Sequence, residues 1–417
     1  MTKKTTLFFL LIASNISFGQ LTDSKTKESL MINAITTSMP FLSINPDSRS
    51  GALGDAGTAL SATASSIYWN TAATAFSKKN GEIGISYVPW LRQLTNDIHL
   101  SYLSGYKRIR ERHAVSGALR YFSLGEITFT DNQGQVLRND KPSEFELAAG
   151  YAFKLTDRFS IGINGKFAYS NLTGGLPIPG SETKAGVAGM ADVSVLYSNP
   201  DIILGGKNGI LNLGATINNV GNKVSYSSKS SSDFLPTSLK LGAAYTTEID
   251  KNNTLTTTID LQKLLVPTPP LTNSSVNYND IPAGTIVGKS NDVGVIAGMI
   301  QSFYDAPGTP VRDAKNNLVK NTDGSIQVES NSKLIEELKE INIGGGIEYN
   351  YLNLLAIRGG YFFESQSKGG RQFFTMGVGL KYNVIGFDIS YLAAINKNNP
   401  LANTVRFSIR FDLGTNN

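Results

Sequence analysis

Apolar and polar residues alternate with a period of two along most of the chain after residue 80. Such alternation, in runs of roughly ten residues broken by turn residues, predicts β-strands rather than helices. About fourteen runs can be distinguished, and single-chain bacterial barrels require an even number of strands. The runs lie near residues 81–89, 97–107, 113–123, 143–155, 159–170, 187–198, 209–220, 237–248, 253–264, 341–351, 354–364, 371–382, 385–395 and 404–413.

One face of each run is apolar, and the charged residues fall on the other face. In the last run, Phe407 and Ile409 share the apolar face, whereas Arg406 and Arg410 lie opposite. An Arg that faced lipid at the membrane midplane would cost about 2–4 kcal/mol, so the charged face must point into a lumen. This lumen face is rich in Gly, which suits a lumen in which another segment packs against the wall. The glycines are Gly150, Gly162, Gly242, Gly344, Gly346, Gly360, Gly377 and Gly379.

Short and long connections alternate between the runs. Outer-membrane barrels have short periplasmic turns and longer extracellular loops, whereas a β-sandwich has no reason to show this alternation. The short connections are 108–112, 156–158, 199–208, 249–252, 352–353 and 383–384, and the long ones include 124–142, 171–186, 221–236 and 265–340. The sequence therefore predicts an all-β fold, a transmembrane antiparallel β-barrel of about 14 strands. The barrel spans residues 81–413, with a long extracellular loop at 265–340 and a C-terminal tail at 414–417.

The first residues of the chain have the three parts of a secretory signal peptide. Lys3 and Lys4 precede the apolar run 7–13, and a cleavage site follows at 17–19. The apolar run is too short for a transmembrane helix, which needs about 20 residues. We therefore predict a cleaved signal peptide at 1–19 and a mature protein that is exported to the outer membrane.

A stretch of small residues before the first strand is a candidate plug for the lumen. A barrel of about fourteen strands is wider than its own side chains can fill, so its bore needs a plug if it is not to leak. Three glycines in this stretch are spaced three apart, but no strand precedes them and no Lys-Ser or Lys-Thr follows, so a phosphate loop is not predicted. We assign residues 20–80 to an N-terminal periplasmic segment and lumen plug (hatch). Its predicted packing residues are Gly51, Gly54, Gly57, Trp69 and Asn70.

Composition excludes several chemistries. The 417 residues include no Cys, so the chain has no disulfide, no thiolate metal site and no Cys nucleophile. The formal net charge of +5 is dispersed along the chain, which argues against a nucleic-acid partner. His99 is predicted to face the lumen, where Asp97 and Ser101 would stand beside it without converging as a hydrolase triad does. No catalytic, cofactor-binding or metal-binding residue is predicted, although a lipid A or lipopolysaccharide deacylase stays open as an alternative function.

The outer loops carry the candidates for recognition, because loops on a rigid scaffold are where binding sites usually lie. Phe303 and Tyr304 either anchor a partner or fold back over the barrel mouth, and the sequence leaves both open. The predicted extracellular partner-binding residues are Trp90, Phe129, Phe303, Tyr304 and Asp305. Trp90 is equally expected in an aromatic belt at the membrane interface, together with Tyr102, Tyr151 and Tyr349.

The long loop also contains two local patterns. Residues 321–324 read Asn-Thr-Asp-Gly, but Val319 and Ser330 occupy the positions of the first and last EF-hand ligands. The segment is therefore not predicted to be an EF-hand loop, while a looser calcium site in the loops stays open as an alternative. Residues 333–341 predict a short amphipathic helix. In it, Glu336, Glu337 and Glu340 form the solvated face, and Leu334, Ile335, Leu338 and Ile341 pack inward.

Two sets of motifs resemble known families. The small-residue stretch that ends near Asn70 resembles the N-terminal hatch of the FadL-like outer-membrane barrels, with Thr71 in place of the usual Pro. Later stretches resemble the PorV family of the type IX secretion system, and this resemblance covers nearly the whole mature chain. They are 301–308 (QSFYDAPG), 343–349 (IGGGIEY), 357–364 (IRGGYFFE), 368–375 (KGGRQFFT) and 387–392 (FDISYL). The chain departs from that family by an insertion, Thr309 to Ser332, whose centre predicts a small hairpin.

The resemblance implies a non-enzymatic role in protein secretion. Members of this family bind the C-terminal domain of type IX cargo proteins, cap the side opening of an SprA/Sov-like translocon, and bring cargo to a PorU-like sortase. The implied partners are these proteins and outer-membrane lipid, with no nucleic acid and no cofactor. The main alternative is a FadL-like channel for hydrophobic small molecules, which the charged residues of the predicted lumen weaken but leave open.

Overall fold

The structure is a computed structural model, and it describes most of the chain. The described residues are 33–91, 95, 97–131, 133–172, 183–204, 206–227, 232–275, 278, 280–395 and 403–414. The predicted signal peptide, residues 1–19, lies outside them, as do residues 20–32 and 415–417.

Within the described residues, fourteen antiparallel strands close into a barrel, which confirms the predicted fold. The first strand, β1, pairs with both β2 and β16, and β3 pairs with β6 because a separate hairpin of β4 and β5 intervenes. The strands are β1 Gly81–Pro89, β2 Ile98–Arg110, β3 His113–Leu124, β4 Ile127–Thr130, β5 Val136–Asp140, β6 Ser143–Lys154, β7 Phe159–Asn171, β8 Gly186–Leu204, β9 Lys207–Gly221, β10 Ser238–Asp250, β11 Asn253–Leu264, β12 Ile341–Tyr351, β13 Leu355–Phe363, β14 Gln372–Tyr382, β15 Ile385–Ala394 and β16 Thr404–Asp412.

The faces of the strands follow the charge pattern. In β16, Ile409 and Phe411 are exposed on the outside, whereas Arg406 and Ser408 are buried inside. Short turns join the strands at one end of the barrel and long loops at the other, and we call these the inner and outer ends. One predicted connection is wrong: β8 and β9 extend through most of 199–208, because backbone pairing resumes after an irregularity and does not depend on apolar side chains.

Short helices occupy the segment before β1. They are a 3₁₀ helix at Pro40–Ser43, α1 at Ser48–Gly51, α2 at Ser66–Trp69 and a second 3₁₀ helix at Thr71–Phe76. Side-chain caps begin two of them. Asp47 accepts a hydrogen bond from the Ser50 N–H at 3.0 Å, and the Asn70 side chain accepts one from the Ala72 N–H at 3.0 Å.

This segment passes through the barrel from the outer end to the inner end. Asn33 lies among the outer loops, where its N–H donates to the Ser367 carbonyl at 2.9 Å and its side-chain amide to the Pro269 carbonyl at 3.2 Å. At the inner end, the Ser77 carbonyl accepts a hydrogen bond from Arg108 at 2.9 Å. The described part of the N-terminal segment therefore differs from the prediction that it begins in the periplasm. Its start lies at the outer end, because the chain crosses the lumen before it reaches β1.

The long outer loop contains two helices, α3 at Val295–Gln301 and α4 at Ser332–Lys339. A 3₁₀ helix, Gln366–Lys368, lies in the loop that follows β13. The predicted small hairpin in the insertion is present, since Lys320 pairs with Ile326 across a turn at Gly324. Among the helices of the described residues, none has the length and apolar character of a membrane span.

Candidate functional site

The plug, which we define as residues 33–77, makes its closest contact with the wall through glycines. A Cβ at Gly360 would lie 2.3 Å from the Gly54 nitrogen and 2.4 Å from the Leu53 carbonyl carbon. A Cβ at Gly344 would lie 2.2 Å from the Gly54 carbonyl oxygen, and one at Gly346 would lie 2.7 Å from the Leu53 Cα. Gly54 has a left-handed backbone, with φ of +69°. Glycines on both sides therefore permit main chain to press against main chain.

The structure places the other predicted packing residues inside the lumen as well. Gly51 lies against an Arg side chain of the wall, and a Cβ at Gly57 would lie 2.3 Å from the Trp69 ring. Trp69 is buried, and its indole N–H donates to a carboxylate of the plug at 2.6 Å. The Asn70 amide donates to the Val195 carbonyl of β8 at 3.0 Å, so it joins the plug to the wall.

Ion pairs of alternating sign tie the plug to one side of the wall. Arg49 of the plug pairs with Glu348 at 2.8 Å, and the same carboxylate accepts from Arg358 at 2.6 Å. Arg358 continues to Asp388 at 2.7 Å, and Asp388 pairs with Arg410 at 2.6 Å. We call Arg49, Glu348, Arg358, Asp388 and Arg410 the charge ladder. Each inner member has an opposite charge on both sides, so the buried charges compensate one another.

Other buried charges hold the plug backbone. Asp260 on β11 accepts hydrogen bonds from the Gly57 and Thr58 N–H groups, each at 2.8 Å. Arg406 on β16 pairs with Asp55 of the plug at 2.8 Å. Hydrogen bonds from backbone N–H groups to a carboxylate fix the position of the main chain, and they also stabilise the negative charge of the carboxylate. The plug is therefore fastened to two strands of the wall that are five positions apart around the barrel.

Aromatic residues of the plug contact two wall cations nearer the outer end. The Arg120 guanidinium lies 4.8 Å from the centre of the Tyr68 ring and donates to the Leu42 carbonyl at 2.9 Å. The Lys240 ammonium lies 4.7 Å from the centres of both the Tyr68 and Trp69 rings. These cation–π contacts stabilise cations that are out of reach of bulk water.

A cavity of about 670 Å³ lies at the inner end of the lumen, beneath the plug. Its lining includes Thr63, Phe76 and Lys79 of the N-terminal segment and Asn212, Leu355 and Lys381 of the wall. The lining is mixed polar and apolar, and it includes members of the charge ladder. The barrel wall thus leaves space at its periplasmic mouth, and the plug occupies the lumen above that space.

The acidic residues of α4 face inward, contrary to the sequence prediction. Glu340 pairs with Lys368 at 2.9 Å and accepts a hydrogen bond from Lys263 at 2.5 Å, while Glu336 pairs with Lys368 at 2.7 Å. Glu337 pairs with Lys263 at 3.1 Å. The predicted inward residues Leu334, Ile335 and Leu338 are exposed instead. The prediction was wrong because Lys263 on β11 and Lys368 in the loop after β13 supply buried partners for the carboxylates. The periodicity of the sequence does not reveal such ion pairs.

The predicted partner-binding residues fall in different environments. Phe303 and Tyr304 are 51% and 54% exposed at the outer end. Trp90 is half-buried and packs against the apolar cluster at the outer end of the lumen. Phe129 lies in β4, but its side chain is outside the described part of the structure. Asp305 is buried, so its carboxylate organises the loop and does not face a partner.

Asp305 is a buried carboxylate that is only partly hydrogen-bonded. Its Oδ2 accepts from the Thr268 N–H at 3.1 Å and from Gln301 at 3.3 Å, while Oδ1 has no hydrogen-bond partner among the described residues. Burial raises the pKa of Asp305 to about 6, and the nearby charge of Glu337 adds to the rise. The folded loop therefore binds a proton more readily than the unfolded chain does.

We expect Asp305→Asn to protect the loop around α3 from proteolysis at pH 8. Because the folded pKa of about 6 lies above the unfolded value of about 4, the contribution of Asp305 to stability falls as pH rises between these values. The variant should be cleaved more slowly than the parent at pH 8, by up to about tenfold, and equally fast near pH 4. Comparison with the parent at each pH cancels the pH dependence of the protease.

Asp313→Asn is the matched control, since hydrogen bonds from the Asn317 N–H and side chain lower the pKa of Asp313. This control should give no protection at either pH. Equal cleavage of Asp305→Asn and parent at pH 8 would contradict the assignment.

His99 and Tyr102 lie on the faces opposite to those predicted. His99 faces outward, and its ring centre is 5.3 Å from that of Tyr87 and 6.5 Å from that of Tyr121. Tyr102 is buried on the lumen side, where its ring lies 5.4 Å from the Arg120 guanidinium. Both errors have one cause: at the start of β2 the apolar residues Ile98, Leu100 and Tyr102 face the lumen, because they pack against the apolar cluster of the plug. The pattern there is the reverse of the one that lipid imposes, so it indicates the wrong register. The described residues contain no cluster of His, Cys, Asp and Glu that could hold a metal ion.

Sequence reasoning missed how the plug and wall are paired. Arg49 is the plug residue that joins the charge ladder, and it was not among the predicted plug residues. The signal available was a lone Arg in a stretch of small residues that was expected to be enclosed, since an enclosed cation needs a buried acid.

Comparison with known proteins gives one family match. The sequence profile of the family described as type IX secretion system protein PorV matches residues 25–271, more than half of the 417 residues. The curated proteins contain no match.

Several solved structures are similar at low identity. The toluene transporter TbuX of Ralstonia pickettii has 11% identity and a TM-score of 0.45, with 89% of this chain and 98% of that chain covered. A FadL homologue of Pseudomonas aeruginosa has 11% identity and a TM-score of 0.41, with 91% and 99% covered. The toluene transporter TodX of Pseudomonas putida has 11% identity and a TM-score of 0.41, with 87% and 95% covered.

Proposed function

This chain belongs to the PorV family of the type IX secretion system, and on that premise we propose that it is a non-enzymatic outer-membrane component of that system. In this proposal it binds the C-terminal domains of secreted cargo proteins and caps the side opening of an SprA/Sov-like translocon. It then carries cargo to a PorU-like sortase at the cell surface. The protein lies in the outer membrane.

The filled lumen is the observation that carries the proposal beyond the family match. Residues 38–77 of the plug are largely buried, and the charge ladder and Asp260 fasten them to the wall. Passage of a hydrophobic molecule would require these contacts to break in a lumen lined with paired charges. The arrangement therefore favours recognition by the outer loops over transport through the lumen.

The outward face of α3 supports a protein partner. Ile296 and Ile300 lie one turn apart on α3, and Phe303 and Tyr304 follow in the turn after its end. All four side chains are exposed, and we call them the α3 stripe. Exposed aromatic residues that can be buried together are typical of binding hot spots. We propose that Phe303 and Tyr304 contact a protein partner at this stripe.

The proposal is tested by isolating the tagged full-length protein from outer membranes in mild detergent. Recovery of a very large barrel and of secreted proteins that share a C-terminal domain is the expected result. The double variant Phe303→Ser/Tyr304→Ser should recover less of at least one partner. The control is Val136→Ser/Leu137→Ser, which removes two equally exposed apolar residues from the β4–β5 hairpin.

Two results would count against the proposal. One is that neither partner is recovered with the tagged protein and that a strain lacking this protein still secretes cargo. The other, which concerns only the α3 stripe, is equal partner recovery by the two double variants.

A further inference from the structure

The outward face of α4 is both apolar and basic. Leu334, Ile335 and Leu338 are 61%, 51% and 58% exposed, and Lys339 is exposed beside them. We call these four residues the α4 face. The opposite side of the helix carries the half-buried Glu336 and Glu337 and ends at the buried Glu340, and their ion pairs hold α4 in a fixed rotation about its axis. Its exposed leucines are therefore not the result of a loosely attached helix.

Lys263 shows that α4 sits on the lipid side of the outer rim. In β11, Ile259 and Leu261 are exposed on the outside, and Lys263 continues the same alternation. Lys263 is nevertheless only 8% exposed, because Glu337 and Glu340 of α4 cover it. A helix that covers an outward-facing residue of the wall lies beside the wall and not above the lumen.

The length of β12 places this rim at the edge of the apolar band. Tyr351 is exposed near the inner turn, and Ile341 follows α4 at the outer end of the same strand. Ten steps of about 3.3 Å along a strand tilted by about 40° rise roughly 25 Å, which equals the height of the apolar band of such barrels. The α4 face therefore lies where acyl chains give way to head groups.

The residue types fit that level of a membrane. Aliphatic side chains flanked by lysines are typical of helices that lie in the interface, since the apolar groups enter the acyl region while the ammonium groups reach lipid phosphates. The α4 face also continues the lipid-facing row of β12, whose next outward residue, Ile343, is exposed. The position of α4, its continuity with the lipid-facing row of β12 and its positive charge thus all indicate the membrane interface.

We propose that the α4 face rests in the outer leaflet, with Leu334, Ile335 and Leu338 among acyl chains and Lys339 on lipid phosphate groups. The occupant of this surface is lipid, and no protein partner is required. The inference goes beyond the secretion role and does not depend on it. Its consequence is that the outer loop is anchored to the membrane surface on one side of the barrel.

The absence of Cys from the chain permits a direct test with single-Cys variants. Leu338→Cys in the full-length protein is labelled with an environment-sensitive fluorophore and reconstituted in phosphatidylcholine–phosphatidylglycerol vesicles with shallow spin-labelled lipid. Ile259→Cys reports lipid contact within the band, and Val136→Cys reports water at the exposed β4–β5 hairpin. Heat-modifiable mobility in gels confirms that each variant is folded.

We expect the lipid quencher to act on the Leu338→Cys probe about twofold or more strongly than on the Val136→Cys probe, with emission shifted to the blue. Replacing the lysine of the face, as Lys339→Gln, should reduce this quenching in vesicles that contain phosphatidylglycerol more than in phosphatidylcholine alone. Quenching equal to that of Val136→Cys would overturn the proposal, because the face would then be in water. Protection of the probe from both lipid and aqueous quenchers would overturn it as well, because protein would then cover the face.

Discussion

Gly360→Leu is expected to displace the plug from the wall, so that the purified barrel either conducts ions or fails to fold. The new side chain would begin 2.3 Å from the Gly54 nitrogen and 2.4 Å from the Leu53 carbonyl carbon, which are main-chain atoms and cannot move away as a side chain can. Overpacking against yielding neighbours costs about 1–3 kcal/mol, and rigid backbone makes the cost larger. Conductance in planar bilayers and heat-modifiable mobility in gels measure the two results.

Gly359→Leu is the matched control, because it adds the same side chain to the other face of β13. A Cβ at Gly359 meets only the Thr375 carbonyl oxygen, at 4.0 Å, and then open space on the lipid side. This variant should fold and remain closed like the parent. If Gly360→Leu behaved in the same way as Gly359→Leu, the close contact between plug and wall would be refuted.

Glu348→Leu is expected to destabilise the folded barrel by about 3–5 kcal/mol, since it leaves two buried guanidinium groups without their shared carboxylate. Arg49 and Arg358 both donate to Glu348, at 2.8 Å and 2.6 Å, and all three side chains are largely shielded from solvent. The measurement is the temperature at which the folded, fast-migrating species converts to the unfolded one in gels. The variant should convert well below the parent.

Two further variants separate this explanation from a general effect of mutating the lumen. Lys381→Gln breaks a half-exposed pair with Asp412, for which a loss of only about 0–1 kcal/mol is expected. Adding Arg49→Leu to Glu348→Leu removes one uncompensated cation and should restore part of the lost stability. A conversion temperature of Glu348→Leu within the range of Lys381→Gln would show that the charge ladder contributes little.

The barrel could be predicted from the sequence because lipid imposes a strict rule on it. Charged residues such as Arg406 and Arg410 can lie only on the lumen face, so a single alternating run fixes both the strand and its register. The glycines on that face likewise indicated that another segment would pack against the wall. The rule does not hold at the start of β2, where apolar residues pack against the plug inside the lumen, and there the predicted orientation of His99 was wrong.

The contacts between distant segments could not be predicted. Arg49 and Glu348 lie 299 positions apart, and nothing local in the sequence joins them. The same holds for α4, whose three glutamates find Lys263 and Lys368 in other parts of the chain. Amphipathic periodicity assumes that the apolar side of a helix is the buried one, and buried ion pairs reverse that assumption.

The path of the N-terminal segment has a consequence for the assembly of the barrel. Residues from Asn33 to Ser77 run the length of the lumen, and the wall around them is completed only where β1 meets β16. Charged wall residues on β11, β12 and β16 hold this segment by direct contacts. We therefore expect the sheet to close around the N-terminal segment, with the pairing of β1 and β16 as the last step of assembly.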